Sequence, residues 1–353
     1  MSYETRPYAG AHYHIHLVNG RSRKLIEFRD LKRPFEQSAR RAAEMSTDRS
    51  DPALEMTLPF QLTQKIHRSV PELLQPERKE NSQKGKIIVI TGGGTGIGAA
   101  AARVWVRAEA EGVVLVGRRK EKLDETAQAL RELGKGTTKI LAVPADLTSE
   151  REAQNVFKRV QETFGRSADV VLANAGLGGP LKKLAEVETA TWWAAYEVQV
   201  LGLHHTVASW IRSQPDPKNP VGTVVNTNSG LAGMTFPGNS AYGSSKLAAQ
   251  RYMEFLQVEY PSLRAFTLLP GIVNTDMLHI TDPHFMRFAK DEAELTGALV
   301  LYLASSRADY LKGSLTSINW DVEEMEAKKQ EIEAGLLKIN WIPTLPVSGG
   351  SGI

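Results

Sequence analysis

Tyr242 and Lys246 stand four residues apart in "AYGSSK" (241–246), and together they have the makings of a proton-transfer pair. On a helix this spacing stacks both on one face. A phenol with a pKa near 10 is a slow donor at neutral pH. A cation about 5 Å away, at an effective dielectric near 20, favours the phenolate by roughly 3 kcal/mol, enough to draw the group toward neutrality. Such a phenol could protonate an alkoxide as it forms. The pair by itself decides nothing, because an exposed aromatic beside an exposed cation is spelled the same way. Composition alone supplies a Tyr-x-x-x-Lys about once per chain of this size.

A second stretch, "TGGGTGIG" (91–98), places Gly92, Gly96 and Gly98 between the apolar run "KIIVI" and a helix that starts near residue 96. Without side chains at these positions the backbone can approach a pyrophosphate, and the helix start offers free N–H groups and a positive dipole end. A merely flexible turn is the alternative, but strand, glycines and helix in that order predict a dinucleotide site. An acid after the second strand would bind the ribose hydroxyls of NAD. Here "VVLVGRRK" puts Gly117, Arg118 and Arg119 at that place. Guanidiniums with no acid beside them suit a 2′-phosphate, so NADP is the expected cofactor. An ordinary solvated basic turn is the alternative.

The elements that must hold these residues follow from the remaining pattern. At 353 residues, 42% hydrophobic and 24% charged, the chain has ample material for a large buried core. No stretch approaches the roughly 18 apolar residues of a membrane span, and the N-terminus lacks the apolar run of a secretory signal. There is no cysteine, which excludes disulfides and thiolate metal sites and favours a reducing, cytoplasmic location. The formal excess of +3 lies in residues 1–83, with 14 Lys/Arg against 11 Asp/Glu, so no nucleic-acid-binding face is expected. From Lys86 onward short β-branched runs alternate with helical stretches: "KIIVIT", "GVVLVG", "ILAVPAD", "DVVLANAG", "GTVVNTNS" and "RAFTLLPG". Continuous apolar strands alternating with helices predict an α/β fold, a Rossmann-type doubly wound parallel sheet of about seven strands with helices on both faces. The expected division is an N-terminal extension (1–83), partly disordered or helical, a catalytic domain (84–320), and a C-terminal helix and tail (321–353). In the extension, residues 22–45 could form an amphipathic helix broken near Pro34, and His12, His14 and His16 would share one side of a strand. With no carboxylate cluster beside them, no metal site is expected. There is no internal repeat.

These motifs, in order, resemble those of the short-chain dehydrogenase/reductase family, including its fungal members, over residues 84 to about 320. "TGGGTGIG" is similar to the family's TGxxxGxG, which implies that Thr91, Gly92, Thr95, Gly96, Ile97 and Gly98 cradle the cofactor, with Arg118 and Arg119 at its adenosine end. Asp146 and Leu147 resemble the adenine-side motif, and "ANAG", with Asn174, Ala175 and Gly176, resembles NNAG with Ala173 in place of the first Asn. "PGIVNT" resembles the PG motif, implying that Pro270, Gly271, Ile272, Val273 and Thr275 line the nicotinamide end. Ser229 stands at the family's offset before Tyr242, which implies a Ser229–Tyr242–Lys246 catalytic set in which Lys246 also binds the ribose. The long helix carries "VQVLG", so Gln199 stands where the family has an Asn that organises a proton relay. The resemblance implies a small carbonyl or alcohol substrate, an apolar pocket near Leu177, Met234, Phe236, Met277 and Leu278, a segment 276–291 that closes over it, and a homodimer or homotetramer. A catalytically weak cofactor-binding sensor or subunit, and an epimerase or dehydratase on the same fold, remain open as alternatives.

Overall fold

The computed structural model describes residues 51–339 apart from Asp282. The contacts divide the chain into two units, Met1–Gln61 and Leu62–Ile353. In the first, the described residues form a helical turn, Leu54–Thr57, followed by a 3₁₀ turn, Leu58–Phe60. The histidine triplet and the expected helix over 22–45 lie outside the described residues.

The second unit is built on one parallel sheet. Its strands are β1 Ile87–Thr91, β2 Gly112–Gly117, β3 Lys139–Pro144, β4 Val170–Ala173, β5 Gly222–Thr227, β6 Leu263–Leu269 and β7 Leu315–Ser317. Their spatial order is β3-β2-β1-β4-β5-β6-β7, every pair parallel. All five residues of β1 are buried, as expected of a strand covered on both faces.

Helices complete the crossovers: α1 Gly96–Arg107, α2 Lys120–Gly134, α3 Glu150–Phe164, α4 Thr189–Tyr196, α5 Gly202–Arg212, α6 Ser240–Glu259, α7 Asp276–Thr281 and α8 Glu294–Leu303. One face of the sheet packs Ile88, Ile90, Leu115 and Phe266 against α1, α2 and α8, with Trp105 and Leu299 at its centre. The other packs Val89, Val114, Val171 and Val224 against α3, α5 and α6, with Phe157 and Trp210 between them. Local signals agree with this layout. Ser149 caps α3 by accepting from Glu152 N, and Gly165 ends that helix at φ +74°. The long helix that carries "VQVLG", which the sequence pattern runs from about 187 to 212, is interrupted, because Glu197–Leu201 forms a π-helical turn between α4 and α5. Among the described residues no helix is long and apolar enough to cross a membrane.

The expected boundary at residue 83 is not where the contacts divide. Residues 62–83 belong to the second unit: Leu74 is 2% exposed within the core beside α1 and α8. Gln83 N donates to Ala108 O at 2.7 Å, and Glu77 pairs with Arg107 at 2.7 Å. Nor do residues 321–339 form a separate tail. Val322 and Met325 of α9 (Val322–Glu326) and Ile332 of α10 (Lys329–Glu333) are buried in the same core. Sequence reading drew these boundaries at shifts of composition, whereas burial follows a few isolated apolar side chains that carry no period.

Leu74→Ala tests this assignment. A buried leucine truncated in a packed core costs about 2–5 kcal/mol, so urea unfolding should show a loss of that size. A loss below about 0.5 kcal/mol would mean that residues 62–83 contribute little to the unit.

Candidate active site

The site lies along the carboxyl edge of the sheet, where the strand order reverses between β1 and β4. The Thr91 hydroxyl at the end of β1 accepts from Asn174 N and Ala175 N, both at 2.9 Å, and Asn174 Nδ2 donates back to Thr91 O at 3.1 Å. This clasp brings "ANAG" against the glycine turn. Gly92 sits at φ +66°, where a Cβ would lie 3.1 Å from Ala175 Cα. A Cβ on Gly98 would overlap the Gly92 carbonyl and the Asn174 amide, so glycine lets α1 pack against the turn.

The first turn of α1 is left open to an anion. Its N-cap residue, Thr95, makes no side-chain hydrogen bond to the helix, and its hydroxyl instead accepts from Arg119 Nη2 at 3.1 Å. Ile97, in that turn, is half-buried. Arg118, exposed at the end of β2, acts electrostatically on Asp146. Burial works to raise the Asp146 carboxyl, but the Thr148 backbone and hydroxyl donors, together with Arg118, hold it below its ordinary value. Arg119 thus reaches the glycine turn, and Arg118 lies within electrostatic reach of Asp146, both along the cleft that the reversal of strand order forms at the carboxyl edge. These donors fit an anionic dinucleotide, and the end of β2 carries Arg118 and Arg119 with no acid beside them.

At the other end of the cleft, β5 and the start of α6 position Ser229, Tyr242 and Lys246. Asn228, buried at 2% exposure, joins them: its Nδ2 donates to Lys246 O at 3.0 Å, its Oδ1 accepts Ser229 N at 2.8 Å, and its own N–H donates to Leu268 O. Ser229 Oγ accepts Leu231 N at 3.2 Å, and Ser229 acts on the Tyr242 phenol so as to lower its pKa. The Lys246 ammonium donates to Thr227 O at 2.8 Å and lies 5.7 Å from the Tyr242 ring centroid. A Cβ on Gly176 would come within 3.7 Å of that ammonium.

Burial decides the protonation states here. It pulls Lys246 down to about 8. It pushes Tyr242 up, with Ser229 pulling weakly the other way. The expectation that Lys246 draws the phenol toward neutral pH is therefore not met. Both groups are desolvated, and the ammonium is turned to the Thr227 carbonyl. Tyr242 is a protonated phenol at neutral pH, in the state a donor needs.

Gln199 lies in the π-helical turn, a deformation that recurs at functional sites. Its Oε1 accepts Leu177 N at 3.3 Å, and its Nε2 donates to Ser245 Oγ at 2.7 Å, which donates in turn to Tyr242 O at 2.9 Å. Its side chain thus reaches Tyr242 through Ser245 and the backbone.

The loop Pro270–Thr275 returns from β6 to the glycine turn, with Thr275 Cγ2 3.2 Å from where a Cβ on Gly96 would sit. Ile272 is half-buried, Val273 buried, and Ile272 N donates to Asp291 Oδ2 at 2.7 Å. Of the expected pocket residues, Phe236 and Met277 are exposed and Leu177, Met234 and Leu278 half-buried, so none of the five belongs to the core. Segment 276–291 is α7 followed by a 3₁₀ turn, Pro283–Phe288, and Asp291 then pairs with Val273. Sequence reading missed Asn228, Ser245 and Asp291. Each stands among other polar or charged residues, Asn228 in "NTNS", Ser245 in "GSSK" and Asp291 in "AKDE", so no local pattern singles it out before its partners are known. Among the described residues no cluster of three or more metal-ligating side chains occurs.

Comparison with known proteins agrees with this geometry. The family model described as short chain dehydrogenase matches residues 86–284, more than half of the chain. The chain is 32% identical over 257 residues to the short chain dehydrogenase mpl6 of Monascus purpureus, covering 72% of this chain and 87% of that protein. A short chain dehydrogenase of Shigella flexneri, solved in complex with NADP, superposes with a TM-score of 0.61 at 26% identity, covering 68% of this chain and 99% of the other. A 3-ketoacyl-(acyl-carrier-protein) reductase of Brucella melitensis, solved with NADH, shares the fold at a TM-score of 0.60 and 22% identity, over 67% of this chain and 98% of its own. With the glycine turn, the clasped "ANAG" and the serine–tyrosine–lysine cluster on one sheet edge, the chain belongs to the short-chain dehydrogenase/reductase family of oxidoreductases.

Proposed function

We propose that the protein is an NADP-dependent oxidoreductase that interconverts a small, apolar carbonyl compound and its alcohol. The observation that carries this reading is the juxtaposition of Ser229, Tyr242 and the buried Lys246 ammonium at one end of a cleft whose other end presents Arg118 and Arg119. A cofactor-binding subunit without catalysis would need the glycine turn but not this cluster.

The nicotinamide cofactor, when bound, supplies or accepts the hydride. The chain does the rest. The backbone of the glycine turn, with the N-cap Thr95 and Ile97 of α1, would hold the pyrophosphate. Arg118 and Arg119 would hold the 2′-phosphate, and Asp146, Leu147 and residues 174–176 and 270–275 would line the rest of the cofactor site. Ser229 donates a hydrogen bond to the substrate oxygen and stabilises it as negative charge builds. The Tyr242 phenol, held protonated by burial, gives its proton to that oxygen in reduction and takes it back in oxidation. Lys246 keeps a positive charge beside the phenolate left behind, which would otherwise sit unpaired in a low-dielectric pocket. Phe236, Met277 and Leu278 offer the substrate an apolar wall, with 276–291 as its cover. Structural neighbours solved with NADP and with NADH support a nicotinamide cofactor by analogy, and the choice of NADP rests on Arg118 and Arg119. Exposed Trp193, Leu201, Leu247, Phe255 and Val258 on the α4–α6 surface support a homo-oligomer, and the absence of cysteine supports a cytoplasmic setting.

Tyr242→Phe keeps the ring and removes the proton. Turnover of a carbonyl substrate should fall by about 10²–10⁴-fold while NADPH affinity stays within about twofold. Retained turnover would remove Tyr242 from the reaction. The pH dependence of kcat/KM for the cofactor reports ionisations of the free enzyme. Lys246, held near 8, is charged below that value and neutral above it, so kcat/KM should fall as pH rises through about 8. A flat profile up to pH 9.5 would show that the lysine charge is not required.

A further inference from the structure

The loop Pro270–Thr275 joins the two ends of the site, with Thr275 against the glycine turn and Met277 reaching toward Gly176, beside Lys246. One buried carboxylate fixes it. The side chain of Asp291 is 1% exposed, and its Oδ2 accepts Ile272 N at 2.7 Å. Its Oδ1 accepts Asn319 Nδ2 at 2.8 Å and Arg68 Nη1 at 2.9 Å. Gly271 passes this carboxylate at φ +68°, so closely that a side chain there would overlap it.

Arg68 comes from ahead of β1, outside the span that the family model matches. Its segment lies along the chain that follows β7. His67 N donates to Asn319 O at 3.0 Å, Asn319 Nδ2 donates to His67 O at 2.8 Å, and Ile66 pairs with Trp320 in an antiparallel bridge. Thr63 Oγ1 accepts Asp321 N at 3.0 Å, and the Glu324 carboxylate accepts the N–H groups of Gln64 and Lys65. Glu292 N donates to Arg68 O at 2.8 Å, so the backbone and the guanidinium both reach the Asp291 region. These bonds hold Arg68 in place before any ligand is present.

We propose that Arg68 is a positioning residue for the nicotinamide end of the cleft, acting through Asp291 on the Gly271–Ile272 peptide; the proposal rests on the cofactor reading above. A carboxylate buried this fully is stable in its charged form only when paired and hydrogen-bonded. Without the guanidinium, Asp291 keeps two neutral donors. Water is then drawn to the carboxylate in place of the guanidinium, and this alters how it accepts Ile272 N. The loop shifts at its inner end while the adenosine end, held by α1 and β2, stays in place. A misplacement of about 1 Å remote from the chemistry can cost on the order of 10²-fold.

The test uses the full chain with Arg68→Met and Arg68→Lys, each checked for folding by thermal unfolding. Two ligands are titrated: NADPH, and adenosine 2′,5′-bisphosphate, which has the adenine and the 2′-phosphate but no nicotinamide. In Arg68→Met, NADPH affinity should fall about 10- to 100-fold while the bisphosphate binds within twofold of the parent. Arg68→Lys, which keeps the charge and the fold, should show the same ordering with a smaller loss. Unchanged NADPH affinity in both variants, or equal losses for both ligands, would overturn the role of Arg68. A parent chain that binds neither ligand would instead contradict the cofactor reading, and the role of Arg68 with it.

Discussion

The site depends on one ammonium kept out of water. Lys246 is 5% exposed, and a buried charge of this kind needs its hydrogen bonds arranged in advance. The Thr227 carbonyl supplies one at the end of β5, and Asn228 ties the lysine backbone to the same strand end. Burial lowers the lysine's pKa, but only to about 8, so it still carries charge at neutral pH. The Tyr242 ring lies beside that charge, and the π-helical turn brings Gln199 to brace Ser245 and, through it, the backbone of Tyr242.

A parallel sheet explains how residues so far apart in sequence meet here. Each strand delivers its carboxyl end to the same edge, and each crossover helix starts there. Thr91, Asn174, Ser229 and Ile272 are loop or strand-end residues of four different strands, brought to one side because every strand points the same way. The reversal of strand order between β1 and β4 forms the cleft, and the Thr91 clasp ties the ends of those two strands together. The packing of Gly92 against Ala175, and of Gly98 against Gly92, lets the backbone supply the floor.

Much of this was legible in the sequence, for identifiable physical reasons. Buried parallel strands must be continuous apolar runs, so β1, β2, β4 and β6 announce themselves. A backbone cradle needs glycines at fixed spacing, so "TGGGTGIG" does too. The identity of Ser229 as partner to Tyr242 came from family resemblance, since the sequence places no mark on a lone serine. Other features were hidden because they are products of three-dimensional packing. The desolvation that raises Tyr242 belongs to no local pattern, and spacing alone suggested the opposite direction. Residues 62–83 read as an extension because their contacts run to Asp291, Asn319 and Asp321, far along the chain and without period. The π-helical turn was invisible because its residues also suit an α-helix, and the expected helix ran through it.

The central claim is that this cleft takes a nicotinamide dinucleotide and that its adenosine end is built for a 2′-phosphate. Side-by-side fluorescence titration of the full chain with NADPH and NADH tests it most directly. The account predicts saturable binding of NADPH with clearly higher affinity than NADH. Tighter binding of NADH would contradict the role given to Arg118 and Arg119, and binding of neither would contradict the claim itself.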